Sequence, residues 1–362
     1  MDDERSTPQH EIEPVKPALT PLGTPPESPI RSREGDIIHT APEFAIAEAD
    51  VRSAEAGEFV AGTSLWKDAW RRLLKNRLAV FGMIVVFVVA ALSIIGPSII
   101  KKTTGYAPDY IPPDAALIKS FPPFRAPDGA FSWKHPMGTD IQGRDLFARV
   151  LQGGQISLLV GVIATVVSLI IGVGYGAVSG YLGGRFDNLM MRIVDVLYSL
   201  PYIILVIVLL AVFRRNTPLG QLVLLFVALG SVSWLTMARI VRGQVLSLKN
   251  QEFVLAARAT GVSTLRIIFR HIVPNTLGPV IVYATLTIPS VMLTEAFLSF
   301  LGFGVQPPMS SWGTLATDGI QNIAVFPWQL IFPGVTMAIM LFSLNFVGDG
   351  LRDALDPQMR KG

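Results

Sequence analysis

Apolar positions in this chain gather into six long, nearly uncharged blocks: residues 78–100, 156–180, about 193–213, 217–238, about 276–301 and about 326–348. Each is long enough to cross about 30 Å of hydrocarbon, which takes roughly 20 helical residues. None shows the short apolar/polar alternation of a barrel strand, and helices are then the one way to satisfy the backbone in lipid. Gly172, Gly174, Gly176, Pro201, Pro289 and Pro333 fall inside these blocks, where packed membrane helices tolerate both residue types. The pattern predicts an all-α integral membrane protein with six transmembrane helices.

The polar flanks orient it. Lys67, Arg71, Arg72, Lys75 and Arg77 precede the first block, Arg239, Arg242, Lys249, Arg258, Arg266 and Arg270 lie between the fourth and fifth, and Arg352, Arg360 and Lys361 follow the sixth. Basic flanks stay on the cytoplasmic side, so both termini are expected there, with residues 101–155 and the Lys/Arg-free stretch 302–325 outside. Arg214 and Arg215 run against this distribution. Residues 64–77 place Trp66, Trp70, Leu73 and Leu74 on one helical face and Lys67, Arg71 and Lys75 on another. That pattern fits an amphipathic helix in the headgroup layer; a plain extension of the first span is the alternative. Residues 1–63 hold eight prolines and almost no aromatics, and read as a disordered cytoplasmic tail without the early apolar core of a signal peptide.

Composition narrows the function classes. Of 362 residues 51% are hydrophobic and 16% charged, and the mean hydropathy is +0.49. The lack of cysteine excludes disulfides, thiolate metal sites and a cysteine nucleophile. No phosphate-binding loop is present, so ATP is not hydrolysed by that route. His10, His39, His135 and His271 are scattered; His135 and Asp140 could meet an ion, but the spacing favours loop residues and no metal site. An enzyme and a nucleic-acid binder are both disfavoured.

Residues 239–275 are long for a mere connection. Within them Glu252, Ala256, Ala257, Arg258, Ala259 and Gly261 outline a short, small-residue helix stopped by glycine, suited to a groove on a partner, followed by His271-Ile-Val-Pro274-Asn275. The Ala256-Ala-x-x-x-Gly261, nine residues, His-Ile-Val-Pro-Asn pattern resembles the cytoplasmic coupling loop of ABC importer permeases. It departs from the general form at Leu255, where glutamate is usual, and at His271 and Val273, where isoleucine and leucine are. Further blocks run in the same order: His135-Pro-Met-Gly-Thr-Asp-Ile-Gln-Gly-Arg-Asp145 with Gly154-Gln-Ile-Ser-Leu158; Tyr181-Leu-Gly-Gly-Arg-Phe-Asp187 with Met191-Arg-Ile-Val-Asp195; Ser299-Phe-Leu-Gly-Phe-Gly304 with Ser310-Ser-Trp-Gly313; and Gly348-Asp-Gly-Leu-Arg-Asp-Ala-Leu-Asp-Pro357. From about residue 64 to 360 the chain resembles the C-type permease subunits of the oligopeptide/dipeptide ABC importer family, nearer the oligopeptide branch.

The resemblance implies a type I importer permease fold with its core at 156–349 and a cytoplasmic end at 350–362. It also implies a second homologous permease, two cytoplasmic ATPases carrying ATP and magnesium, and an extracytoplasmic peptide-binding protein, with no cofactor on this chain. Glu252, Ala256, Ala257, Arg258, Gly261, His271, Pro274 and Asn275 would couple the ATPases to the spans, Pro274 and Asn275 restarting the chain into the fifth. Phe303, Trp312, Phe326 and Trp328 would offer an outer surface to the donor. Two carboxylates lie in apolar blocks, where burial is costly: Asp195 is expected in an ion pair with Arg192, and Glu295 is a candidate for the translocation path. A nickel or other small-solute permease, a lone proton-coupled peptide transporter and a purely structural subunit are the alternatives.

Overall fold

The computed structural model describes residues 65–125 and 128–356; the 1–63 tail lies outside them. Eleven helices are named here: α1 Leu65–Lys75, α2 Arg77–Thr104, α3 Ala115–Ile118, α4 Leu146–Leu182, α5 Gly184–Ser199, α6 Tyr202–Val212, α7 Pro218–Leu248, α8 Glu252–Ala259, α9 Thr264–Phe300, α10 Trp312–Gln321 and α11 Trp328–Leu355. Five of them (α2, α4, α7, α9, α11) are long and apolar enough to cross a membrane, and α5 with α6 makes a sixth if that bent pair counts as one span. No strand occurs among the described residues.

The expected boundaries shift for local reasons. Asp145 caps α4, its carboxylate accepting the Ala148 N–H at 2.8 Å, so the helix opens at Leu146 rather than at residue 156. Asn76 ends α1 and caps α2 by accepting the N–H groups of Leu78 and Ala79. The third block is two helices meeting at 82°, because Pro201 cannot donate and Leu200 before it is forced extended (ψ 134°). Helix α7 continues past residue 238 to Leu248, since arginines end an apolar window without ending a helix. Helix α9 runs unbroken from Thr264, so Pro274 and Asn275 lie inside it and restart nothing. Pro274 lacks an N–H and crowds the carbonyl one turn back; a widened π turn at Ile267–Ile272, with the Val273 N–H reaching the Ile268 carbonyl, accommodates it.

Helix α4 packs along α7 at close range. A Cβ on Gly172 would lie 2.6 Å from Met237 Cβ, one on Gly176 would strike the Ala238 carbonyl, and one on Gly180 would lie 2.9 Å from the Arg242 carbonyl. Glycine every fourth residue thus lets two backbones approach where no water drives association, and Ser168 Oγ adds a bond to the Ser233 carbonyl at 2.9 Å. Gly174, off this stripe, meets nothing. Side chains such as Phe87, Ile170 and Phe342 point outward, as a lipid-facing surface requires. In α1, Ala69 and Leu73 pack on Ala79 and Ala354 while Trp66, Trp70 and Leu74 stay exposed.

Candidate functional site

At one end of the bundle α8 packs one face on the spans and leaves the other open. Val254 and Ala257, one turn apart, are buried on Val241, Val245 and Ile268. Glu252, Phe253, Leu255, Ala256, Arg258 and Ala259 are exposed, and Leu265 and Phe269 extend that apolar surface. Ala257 thus helps to seat α8 within the chain. Val262 N–H bonds the Ala257 carbonyl and Gly261 N–H that of Arg258, both at 3.1 Å, closing a Schellman turn that needs the positive φ of Gly261 (77°). Arg258 leans on Tyr181, its guanidinium 5.6 Å from the ring centroid. His271 is half-buried in the π turn, its carbonyl accepting from Asn275 Nδ2 at 2.5 Å; Pro274 and Asn275 are exposed.

Beneath α8 a latch that sequence reading did not single out joins three helices. Buried Asp187 of α5 accepts from Nε and Nη2 of Arg242 on α7 at 2.6 Å each and from the Ser179 hydroxyl of α4 at 2.5 Å. The signal was present as an acid after the Gly183-Gly184 turn and a basic residue late in α7. Asp195 pairs with Arg239 across helices at 2.8 Å, both half in solvent, and not with Arg192; the Arg239 guanidinium also covers the Tyr198 ring at 4.2 Å.

Midway along the spans, where α5 breaks into α6, a cavity of about 600 Å³ opens between α6, α7 and α9. Tyr198, Tyr202, Ser233, Tyr283, Ser290 and Thr294 contribute hydroxyls, and no charged residue lines it. Glu295 is adjacent in sequence but turned away. It is 1% exposed and accepts the hydroxyls of Ser299 at 2.7 Å and Ser311 at 2.6 Å. Ser311 in turn caps α10, exchanging bonds with Thr314. Glu295 thus staples α10 to α9 inside the subunit and does not line this cavity.

The opposite end is equally built. Trp312 is fully buried, with its indole N–H on the Val150 carbonyl at 2.8 Å and its amide on Ser157 Oγ at 3.1 Å. It is a bolt for α10 rather than part of a surface, and Phe303, Phe326 and Trp328 are half-buried. His135 bonds Asp145 at 2.8 Å, and Asp140 takes Arg144 and Arg149 at 2.6 Å each, so both candidate ion-meeting residues are engaged within the loop. Burial pushes the nearby Asp318 carboxyl upward, against the pull of Arg149 and Arg144.

Comparison with known proteins bears on both ends. Residues 172–361 match the family described as binding-protein-dependent transport system inner membrane component, and residues 64–122 the N-terminal TM domain of oligopeptide transport permease C. The chain is 50% identical over 301 residues to the oligopeptide transport system permease protein OppC of Salmonella typhimurium, covering 83% of this chain and 94% of that one. It is 45% identical to OppC of Bacillus subtilis, covering 82% and 91%, and 44% identical to the dipeptide transport system permease protein DppC of B. subtilis, covering 82% and 87%. The inward-facing methionine ABC transporter MetNI aligns over 57% of this chain and 96% of its own, with 20% identity and a TM-score of 0.46.

Proposed function

The chain belongs to the family of binding-protein-dependent transport system inner membrane components, and from that membership we propose that it is one permease subunit of an ATP-driven importer of oligopeptides or dipeptides. The observation that carries the coupling is the two-sided α8: Val254 and Ala257 seat it on the bundle while its other face carries exposed Phe253, Leu255 and Ala256. An exposed apolar patch of this kind on a membrane protein's polar end marks a partner site. The partner is a cytoplasmic ATPase, with ATP and magnesium held there, and α8 lies on the cytoplasmic side with the basic flanks and both termini.

A second, homologous permease completes the passage, and an extracytoplasmic peptide-binding protein delivers substrate at the α10 end. The hydroxyl-lined cavity at the α5–α6 break is the section of the passage this subunit supplies: it offers hydrogen bonds to a peptide main chain and no fixed charge that would select side chains. Nucleotide binding favours the outward-open arrangement, and only a difference in affinity between the two arrangements can drive the cycle. The Asp187–Arg242–Ser179 latch passes the displacement of α8 to α4, α5 and α7 together. The lone proton-coupled reading loses its carboxylate, because Glu295 is sealed and Asp195 is paired at the surface.

The test is uptake of a labelled tripeptide by proteoliposomes holding this chain, the second permease, both ATPases and the donor. Accumulation with ATP, lost when the ATPases are left out, is the expected result. Uptake by this chain alone on a proton gradient would overturn the reading.

A further inference from the structure

A second cavity, larger than the hydroxyl-lined one, lies outside that passage. It measures about 740 Å³, and its walls come from the end of α6, the turn into α7 and the loop after α9, a size suited to a small ligand. Arg214 and Arg215 line it, with Asn216, Gln221 and Gln306, and no carboxylate does. Neither guanidinium has an ion pair among the described residues. The turn is fixed: the Oε1 of Gln221, 5% exposed, accepts the Arg215 N–H at 3.1 Å, and Thr217 caps α7 by accepting the Gly220 N–H at 3.1 Å. The positive end of the 31-residue α7 therefore adds to two guanidiniums in one concavity. These are also the two arginines that defy the charge distribution of the other flanks.

Such a site calls for an anion. Resting on the importer reading, we propose that it is an outer subsite that receives the free C-terminal carboxylate of the incoming peptide on Arg214 and Arg215. Guanidinium forks match a carboxylate in shape and charge. The subsite lies along α6 from the hydroxyl cavity: Leu210 borders the outer one and Tyr202 the inner, about 12 Å apart at 1.5 Å per residue. That is the reach of three or four extended residues. Val206, between Tyr202 and Leu210 on α6, is buried in the apolar core together with Leu210 and Leu298.

The experiment compares trialanine with its C-terminal amide in the complete ATP-driven importer, for wild type and for the double variant Arg214→Gln, Arg215→Gln, in purely phosphatidylcholine vesicles. The preference of the donor for either peptide cancels in the variant-to-wild-type ratio. The double variant is expected to lower uptake of the acid about tenfold, the worth of a charge-assisted contact, and to leave the amide unchanged, with assembly and melting temperature as in wild type. Equal loss for both peptides would overturn the proposal in favour of donor docking or misfolding, and no loss for either would show solvated arginines. A loss seen only after anionic lipid is added would assign the site to headgroups and overturn it too. Should wild type accumulate neither peptide with ATP, the importer reading itself fails.

Discussion

Asp195 and Glu295 look alike in the sequence, each a lone acid in an apolar stretch, and their surroundings separate them. Asp195 meets Arg239 at a surface where an ion pair contributes little, whereas Glu295 accepts two hydroxyls in a sealed site. Glu295→Ala leaves Ser299 and Ser311 without their acceptor, so it should cost about 1–3 kcal/mol and lower the melting temperature of the purified subunit, with Glu295→Gln milder. Unchanged melting with abolished transport would instead return Glu295 to the passage. Part of this was legible: Ser299 lies one helical turn after Glu295 and faces the same way. Ser311 was not, because its approach depends on how the loop 301–311 folds back. Asp195 was assigned the neighbour nearest in sequence, and the competing arginine came from another helix.

At the scale of elements, the apolar blocks fall on the five long helices and on the bent pair α5–α6 but do not give the ends of these helices. Those ends are set by caps such as Asp145 and Asn76, and by how far a helix continues into polar surroundings, as α7 does through Arg239 and Arg242. The break at Pro201 was written in the residue itself, while the π turn before Pro274 was not, since proline alone does not say whether a helix stops or widens. The small residues of α8 suggest a helix suited to a partner's groove; the helix divides them, because a 100° step turns Ala257 inward and leaves Ala256 out. Two neighbouring substitutions should therefore fail differently. Ala256→Glu is expected to abolish co-purification of the ATPase subunits while melting is retained, and Ala257→Glu to lower the melting temperature by burying an unpaired carboxylate. Equal behaviour of the two would contradict the orientation of α8.

Over the whole molecule, function is divided between two built ends and an open middle. The α8 end has its latch, the α10 end has Trp312 and the charged outer segment, and between them the hydroxyl cavity is bordered by helices from three parts of the chain. If that cavity carries substrate, Ser290→Trp should block peptide uptake while leaving assembly with the ATPases and their basal hydrolysis intact. Undiminished uptake would move the passage elsewhere. The membrane-spanning helices could be foreseen from pattern, but the cavity could not, because its lining is drawn from α5, α6, α7 and α9 and exists only once they pack.

The bend at Pro201 has one more result. A helix that starts in mid-membrane begins with main-chain N–H groups that no turn above it can take; at the head of α6 those of Tyr202, Ile203 and Ile204 have no acceptor among the described residues. Of the three, Tyr202 lines the cavity, and a main-chain donor set there would meet a carbonyl, the one group every residue of a peptide repeats. If the cavity carries peptide, a contact of that kind would hold the cargo whatever its side chains.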